Sequence, residues 1–278
     1  MIHVPTNPAA HYAFDALAWV SAALAARWQY RRWPEQVVRL SKIVEPSYFV
    51  SLGVGALIGA WLLGSLNSMR GPIFAPSHSI AGALAGGIVA VESWKWTRGV
   101  RASTGGALVL PICVGIIVGR FGCLFAGLAD YTYGVPSSLP WAVNLGDGIG
   151  RHPVQLYESL AMAAFAGIYI AARNRDADWA RRHAFHAMII YYAAQRFVWE
   201  FLKPYPRVVG PLNVFHILML GLAAYGIFWW RRDRGNEPAP AGAAATAAQV
   251  RSLSVPRADD EPVRDVPGAG PRQDHHRG

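Results

Sequence analysis

The sequence predicts an all-α, polytopic integral membrane protein with seven transmembrane helices. Three observations carry this prediction: the chain is unusually apolar, its apolar residues gather in seven long segments, and its basic residues gather between those segments. Of the 278 residues, 53% are hydrophobic and 15% are charged. Soluble domains carry about 25% charged residues. The composition is therefore typical of a chain that faces lipid over much of its length.

Seven apolar segments predict the seven helices. Each is close to the roughly 20 residues that a helix needs to cross a bilayer. Polar residues interrupt several segments, so we expect those helices to line a polar interior. The residues before the first segment lack the basic start and short apolar core of a signal peptide. The segments cover residues 11–29, 46–66, 77–95, 107–127, 155–172, 184–202 and 212–230.

The distribution of Lys and Arg predicts the orientation of these helices. Loops one, three and five and the C-terminal flank carry most of the basic residues, whereas the opposite loops carry only Arg70, Arg151, Lys203 and Arg207. Because strongly basic loops stay in the cytoplasm, we predict the N-terminus outside and the C-terminus inside. The loop 128–154 then lies on the outer side.

The last part of the chain differs in composition from the rest. From residue 235 to residue 278 it is rich in Ala, Pro and Gly with mixed charges, and such a segment cannot bury enough apolar surface to fold. We therefore predict a membrane domain at 1–234 and a disordered cytoplasmic tail at 235–278.

Charge and cysteine content exclude several other classes of protein. The net charge is +9, but the basic residues flank apolar segments, which indicates membrane topology rather than a nucleic-acid partner. Cys113 and Cys123 have neither CxxC nor Cys/His spacing. They predict no disulfide framework, no metal site and no cofactor, and we interpret both as packing residues.

Two arginines lie within apolar segments, near the predicted outer leaflet. Arg120 in "GRFGC" either snorkels to the interface or belongs to an anion site. Arg196 and Glu200 are four residues apart, so they share one helix face and either form a tethering ion pair or orient the arginine for a ligand. Together the two guanidinium groups have the donors to hold one phosphodiester, which indicates a lipid headgroup.

The motifs around these arginines resemble those of a known family. "GRFGCLFAGLADYTYGVPSSLPWAVNL", "GIGRHPVQLYESL" and "QRFVWEFLKP" are similar to the motifs of the prolipoprotein diacylglyceryl transferases. The resemblance extends over about residues 11–230 and is most specific at RHPxQLYE, residues 151–158. The family topology, with seven spans and an external N-terminus, agrees with the topology predicted above.

The resemblance implies a reaction, its partners and its location. Family members sit in the bacterial cytoplasmic (inner) membrane and move diacylglycerol from phosphatidylglycerol to the lipobox cysteine in the signal peptide of a preprolipoprotein. The expected partners are therefore these two substrates and membrane lipids. Arg120 and Arg196 match the family's two essential arginines, and fixed cations suit a departing phosphate. A free thiol is mostly protonated at neutral pH, so a base or a cationic field must assist it.

The third segment departs from the family pattern. The family's histidine there corresponds to Ala81, and His78 lies three residues earlier. One turn of helix can bring His78 to a neighbouring position, where it is a catalytic candidate. The alternative is a hydrogen-bonded residue at the membrane interface.

The motif after Arg120 also departs from the pattern. Cys123 and Leu128 stand where the family has an asparagine and a glutamate. Asp130, two residues later, is a candidate replacement for the glutamate, either accepting the thiol proton or orienting Arg120. The alternative is an Asx turn that opens the loop.

Further polar residues complete the predicted substrate-binding set. Tyr12, at the head of the first segment, can donate to a lipid oxygen or can be an ordinary interfacial aromatic residue. Arg151, His152 and Tyr157 form a polar entry to the fifth segment. In a structural interpretation of this entry, the nearby Glu158 caps the helix or pairs with Arg151.

Two further functions stay open beside diacylglyceryl transfer. A lipid-binding membrane protein can keep the fold and the phosphate site while it has lost or changed the reaction. A transporter has little support, because the sequence shows neither an inverted repeat nor helices broken near the midplane.

Overall fold

Nine α-helices account for most of the residues that the computed structural model describes, which are 1–68 and 77–235. Seven have at least 17 residues, and each coincides with one of the predicted apolar segments. Two shorter helices, α2 (Glu35–Ser41) and α7 (Asp178–Arg182), lie in connections. The long helices are α1 (Ala10–Arg32), α3 (Pro46–Ser68), α4 (Ile80–Thr97), α5 (Val109–Ala126), α6 (Val154–Asn174), α8 (Ala184–Glu200) and α9 (Val214–Gly235).

Within residues 1–68 and 77–235, four helical stretches combine the length and the hydropathy of membrane spans. They support the membrane assignment, whereas the count of seven spans and their orientation stay predictions. Large apolar side chains such as Trp19, Leu57 and Trp61 are exposed on the outside of the bundle, as expected of a surface that meets lipid. The four stretches are Pro46–Leu66, Gly105–Asp130, Val154–Asn174 and Val214–Arg232.

The helices pack mainly as neighbouring pairs. Helix α1 packs on α5, α3 on α4 and α8 on α9, while α6 packs on both α5 and α8. The largest core cluster includes the fully buried Cys113, Met162 and Met188 from α5, α6 and α8. These three helices also carry most of the charged groups described below.

Glycines let α3 and α4 approach closely. A Cβ atom built on Gly86 would collide with the backbone oxygen of Gly55, and one built on Gly59 would collide with the backbone oxygen of Gly82. Small residues at such positions allow two membrane helices to pack backbone against backbone.

Gly86→Ala is therefore expected to destabilise the bundle. Because the clash is with rigid backbone, we expect a loss of about 1–3 kcal/mol, the usual cost of overpacking. Thermal unfolding in detergent micelles measures it. Gly53→Ala on α3 is the matched control, since nothing lies within 4 Å of a Cβ there. Equal unfolding temperatures for the two variants would contradict the packing argument.

A small sheet fastens the N-terminus over the end of α5. Strand β1 (Ile2–His3) pairs in parallel with β2 (Val143–Asn144), which pairs antiparallel with β3 (Gly150–Arg151). Beyond the sheet, the Asn7 amide donates to the Phe125 carbonyl at 2.8 Å. These contacts place the first turn of α1 beside the C-terminal end of α5.

Residues 1–235 form one compact unit. The predicted disordered tail, 235–278, lies outside the described residues apart from Gly235, which ends α9. The domain boundary and the disorder of the tail stay predictions.

Candidate functional site

Glu158 on α6 holds three basic side chains around one buried carboxylate. It pairs with the Nε atom of Arg120 on α5. Its Oε2 atom lies 3.4 Å from Nη1 of Arg196 on α8, and its Oε1 atom lies 2.6 Å from Nζ of Lys203. The residue is 1% exposed. Three parts of the chain, distant in sequence, therefore meet at this carboxylate.

Glu200 supplies the second carboxylate of the group. Its Oε1 atom lies 3.0 Å from Nη2 of Arg196 and 3.3 Å from Nζ of Lys203. Its other oxygen accepts a hydrogen bond of 3.3 Å from the Asn213 side chain. The predicted i,i+4 pair of Arg196 and Glu200 is thus present. We call Arg120, Glu158, Arg196, Glu200 and Lys203 the ion-pair cluster.

The ion-pair cluster carries an excess of positive charge and has unpartnered polar atoms near it. Its three basic side chains exceed its two carboxylates by one. In the described part of the chain, the Arg196 Nε atom, the Tyr192 hydroxyl and the Gln155 side-chain amide are buried without a hydrogen-bond partner. Buried donors left without partners are costly. The surplus charge and these donors are the features that the proposal below uses.

The structure excludes one alternative for Arg120 and corrects one pairing, while the anion site stays a prediction. Arg120 is 6% exposed and paired with Glu158, so it does not snorkel to the interface. The suggested pair of Glu158 and Arg151 is wrong, because Arg151 lies 2.5 Å from Asp147 in the outer loop instead. The hydrogen bond from Arg151 lowers the pKa of Asp147.

A second polar group lies beside Arg120, around the imidazole of His11. Its Nδ1 atom is 2.8 Å from Oδ2 of Asp15, and its Nε2 atom is 3.0 Å from Oδ1 of Asp130. The Cys123 sulfur is 3.9 Å from the same Nε2 atom and 3.7 Å from Nη1 of Arg120. We call His11, Asp15, Cys123 and Asp130 the His11 cluster. It meets the ion-pair cluster through Arg120.

The His11 cluster changes two interpretations made from the sequence. Asp130 pairs with His11 rather than with Arg120, and Cys123, interpreted as a packing residue, contacts the ionisable groups of His11 and Arg120. Sequence reasoning did not select His11. The available signal was the spacing of His11 and Asp15, which places both on one face of α1.

Arg151, His152 and Tyr157 form a separate group at the start of α6. The Tyr157 hydroxyl accepts a hydrogen bond of 2.8 Å from the Trp141 indole, and it lies 3.5 Å from the Nδ1 atom of His152. The Arg151 guanidinium lies over the Tyr133 ring, 4.8 Å from its centroid. The contacts described for these residues do not join them to the ion-pair cluster.

Tyr12 and His78 also lie apart from the charged groups. Tyr12 is 79% exposed on α1, although the adjacent His11 faces α5. His78 is exposed and directly precedes Ser79, the N-cap of α4, whose side chain accepts a hydrogen bond of 3.3 Å from the Gly82 amide. The catalytic role of His78 and the lipid-binding role of Tyr12 stay predictions.

A mainly apolar cavity of about 440 Å³ borders the His11 cluster. Its wall on α5 runs from Pro111 to Gly119, the residue before Arg120, which is roughly 12 Å at 1.5 Å per residue. Asp15 of the His11 cluster is also part of the lining. The cavity therefore extends from the polar groups along the apolar interior.

Comparison with known proteins gives partial matches to one family. Residues 5–232 match the family model described as prolipoprotein diacylglyceryl transferase. Proteins named phosphatidylglycerol–prolipoprotein diacylglyceryl transferase from Bacillus cytotoxicus and Nitratidesulfovibrio vulgaris are similar to the chain. The first is 34% identical over 83 residues, 30% of each chain. The second is 32% identical over 136 residues, covering 46% of this chain and 49% of the relative. The aligned parts thus span less than half of these relatives, and no solved structure matches significantly.

Proposed function

Because this chain belongs to the prolipoprotein diacylglyceryl transferase family, we propose that it transfers diacylglycerol from phosphatidylglycerol to the thiol of a lipobox cysteine. The acceptor is the signal peptide of a preprolipoprotein at the bacterial inner membrane. The thiol sulfur attacks the glycerol carbon that carries the phosphate, and the carbon–oxygen bond breaks. Glycerol 1-phosphate leaves with the electron pair, and a thioether remains.

The ion-pair cluster is the observation that carries this proposal. Arg120 and Arg196 both hold their guanidinium groups against the Oε2 atom of Glu158, and both are almost fully buried. Negative charge gathers on the phosphate as the carbon–oxygen bond breaks, and fixed donors stabilise it strongly where water is excluded. The buried, unpartnered Arg196 Nε atom and Tyr192 hydroxyl are further donors for the same oxygens.

The apolar cavity supports a diacyl lipid as the donor. It is lined mainly by aliphatic and aromatic side chains of α1, α3, α4, α5 and α9, and its lining includes Gly119, the residue before Arg120. A phosphate held at the two arginines would therefore leave an acyl chain free to enter the cavity. The chain comes from bilayer hydrocarbon, which is as apolar as the cavity lining, so this lining lets an acyl chain enter without a penalty.

The His11 cluster is the proposed position of the acceptor thiol. It lies against Arg120, so a sulfur bound there is next to the phosphate-bearing carbon. Asp15 and Asp130 hold the two ring nitrogens of His11 and so orient the imidazole beside this position, and Asp130 acts through His11 rather than directly on Arg120. His78 lies apart from both clusters and has no role in the proposed reaction.

A reconstituted assay tests the proposed reaction. The purified full-length chain is incorporated into vesicles of phosphatidylglycerol and incubated with a synthetic lipobox peptide. Mass spectrometry is expected to find the peptide heavier by one diacylglyceryl group, with an equal amount of glycerol 1-phosphate released. A peptide with serine in place of the lipobox cysteine is the control and should stay unmodified. Growth of a strain depleted of its own transferase provides the cellular test.

The changed motif after Arg120 supports an alternative function, a lipid-binding protein without transferase activity. Cys123 and Leu128 replace the family's polar residues close to the proposed thiol position. If the chain binds phosphatidylglycerol vesicles tightly but transfers nothing to the peptide, it is a lipid-binding protein that retains the fold and the phosphate site.

A further inference from the structure

Three side chains of the His11 cluster present the ligand atoms of a metal site. They are Nε2 of His11, Sγ of Cys123 and a carboxylate oxygen of Asp130, all within 4.8 Å of one another. The nitrogen is 3.0 Å from the oxygen and 3.9 Å from the sulfur. Two ligands of a tetrahedral zinc ion lie roughly 3.3–3.7 Å apart, given zinc bonds of about 2.0–2.3 Å. Small side-chain shifts would centre an ion among the three atoms.

Asp15 gives this group a feature that supports metal binding. Its carboxylate lies 2.8 Å from Nδ1 of His11, on the ring edge opposite Asp130 and Cys123. A histidine that binds a metal through one nitrogen almost always donates the other N–H group to a carboxylate or carbonyl, which fixes the ring orientation. Asp15 is placed to accept that hydrogen bond.

We propose that His11, Cys123 and Asp130 bind a divalent cation of the zinc class and leave its fourth position open. One thiolate, one imidazole and one carboxylate form a mixed ligand set suited to a borderline-soft ion rather than to magnesium or calcium. Three protein ligands with an open position are the arrangement of catalytic rather than structural zinc sites. The sequence alone gives no sign of this metal site, because 112 positions separate His11 from Cys123.

The open position accounts for activation of the acceptor thiol, a step that rests on the proposed function. The lipobox thiol binds there and gives its proton to water, because a metal-bound thiol is deprotonated outright. The thiolate then attacks the glycerol carbon, and the electron pair of the broken bond goes to the phosphate oxygen at Arg120. The Arg120 guanidinium, 3.7 Å from the Cys123 sulfur, keeps this phosphate next to the nucleophile.

Cobalt binding tests the site without relying on activity. The full-length chain, without an added polyhistidine tag, is stripped with a chelator in detergent and titrated with Co(II) and then Zn(II). We expect one tightly bound ion per chain and an absorption band from thiolate-to-cobalt charge transfer. Cys123→Ser should abolish the band, whereas Cys113→Ser should keep it, because Cys113 is buried in the core. His275 and His276 of the tail offer only nitrogen and cannot produce it.

Asp15→Asn provides a second variant that keeps all three ligands. Loss of such an orienting partner typically weakens metal binding about 10–100-fold, and the same loss is expected here.

Absence of tight cobalt binding at neutral pH, or an absorption band that survives Cys123→Ser, would overturn the metal site. Full transferase activity in the metal-free chain would overturn the thiol-activation step but uphold the proposed function. A metal-bound chain without transferase activity would support the site and count against that function.

Discussion

Arg120→Ala is expected to abolish diacylglyceryl transfer while the chain still inserts and folds. The variant loses a donor to the departing phosphate, and removal of one such transition-state contact commonly costs about 10²–10³ in rate. Folding should survive, because Arg196 and Lys203 still balance Glu158 and Glu200. Arg196→Ala should have a similar effect on rate. The measurement is the turnover of lipobox peptide by purified variants in phosphatidylglycerol vesicles.

Lysine substitution separates a requirement for charge from a requirement for geometry. Arg120 uses Nε for Glu158 and Nη1 for Cys123, and the single ammonium of lysine cannot supply both directions. Arg120→Lys should therefore remain strongly impaired. Arg181→Ala is the matched control, because Arg181 lies in a connection and its side chain is half exposed. Near-normal turnover in both Arg120→Ala and Arg196→Ala would rule out these two arginines as the phosphate site.

Local sequence patterns predicted much of the helical framework. The seven apolar segments coincide with seven helices because each helix needs a continuous run of apolar residues to bury or to present to lipid. The pair of Arg196 and Glu200 was predictable for the same local reason, since residues four apart share a helix face. Both predictions depend on the geometry of a single helix.

Contacts between helices were not predictable from these patterns. Local spacing suggests that Glu158 caps its helix or pairs with Arg151, seven residues earlier, but it pairs with Arg120 on α5 and Arg196 on α8 because of how α6 packs in the bundle. The pairing of His11 with Asp130 depends on the small sheet and on the hydrogen bond from Asn7 to Phe125. Nothing in the spacing of these residues specifies that path of the N-terminal segment.

Glu158→Gln is expected to produce the largest loss of stability among the charged groups. The amide has the same shape but no charge, so it leaves Arg120, Arg196 and Lys203 buried with Glu200 as the cluster's remaining carboxylate. Removing one partner of a buried ion pair typically costs about 3–5 kcal/mol, because a buried charge is left uncompensated. Reversible unfolding in mixed micelles, followed by circular dichroism, measures the free-energy change.

Two further variants show whether this loss arises from buried charge. Glu45→Gln is the control, because Glu45 is 63% exposed in its pair with Arg98, and exposed pairs contribute about 0–1 kcal/mol. Lys203→Met combined with Glu158→Gln removes one of the uncompensated cations, so the double variant should regain part of the stability lost by Glu158→Gln alone. If Glu158→Gln unfolds no more easily than Glu45→Gln, the cluster's charges are hydrated in the protein, and the low-dielectric setting on which the phosphate site depends is absent.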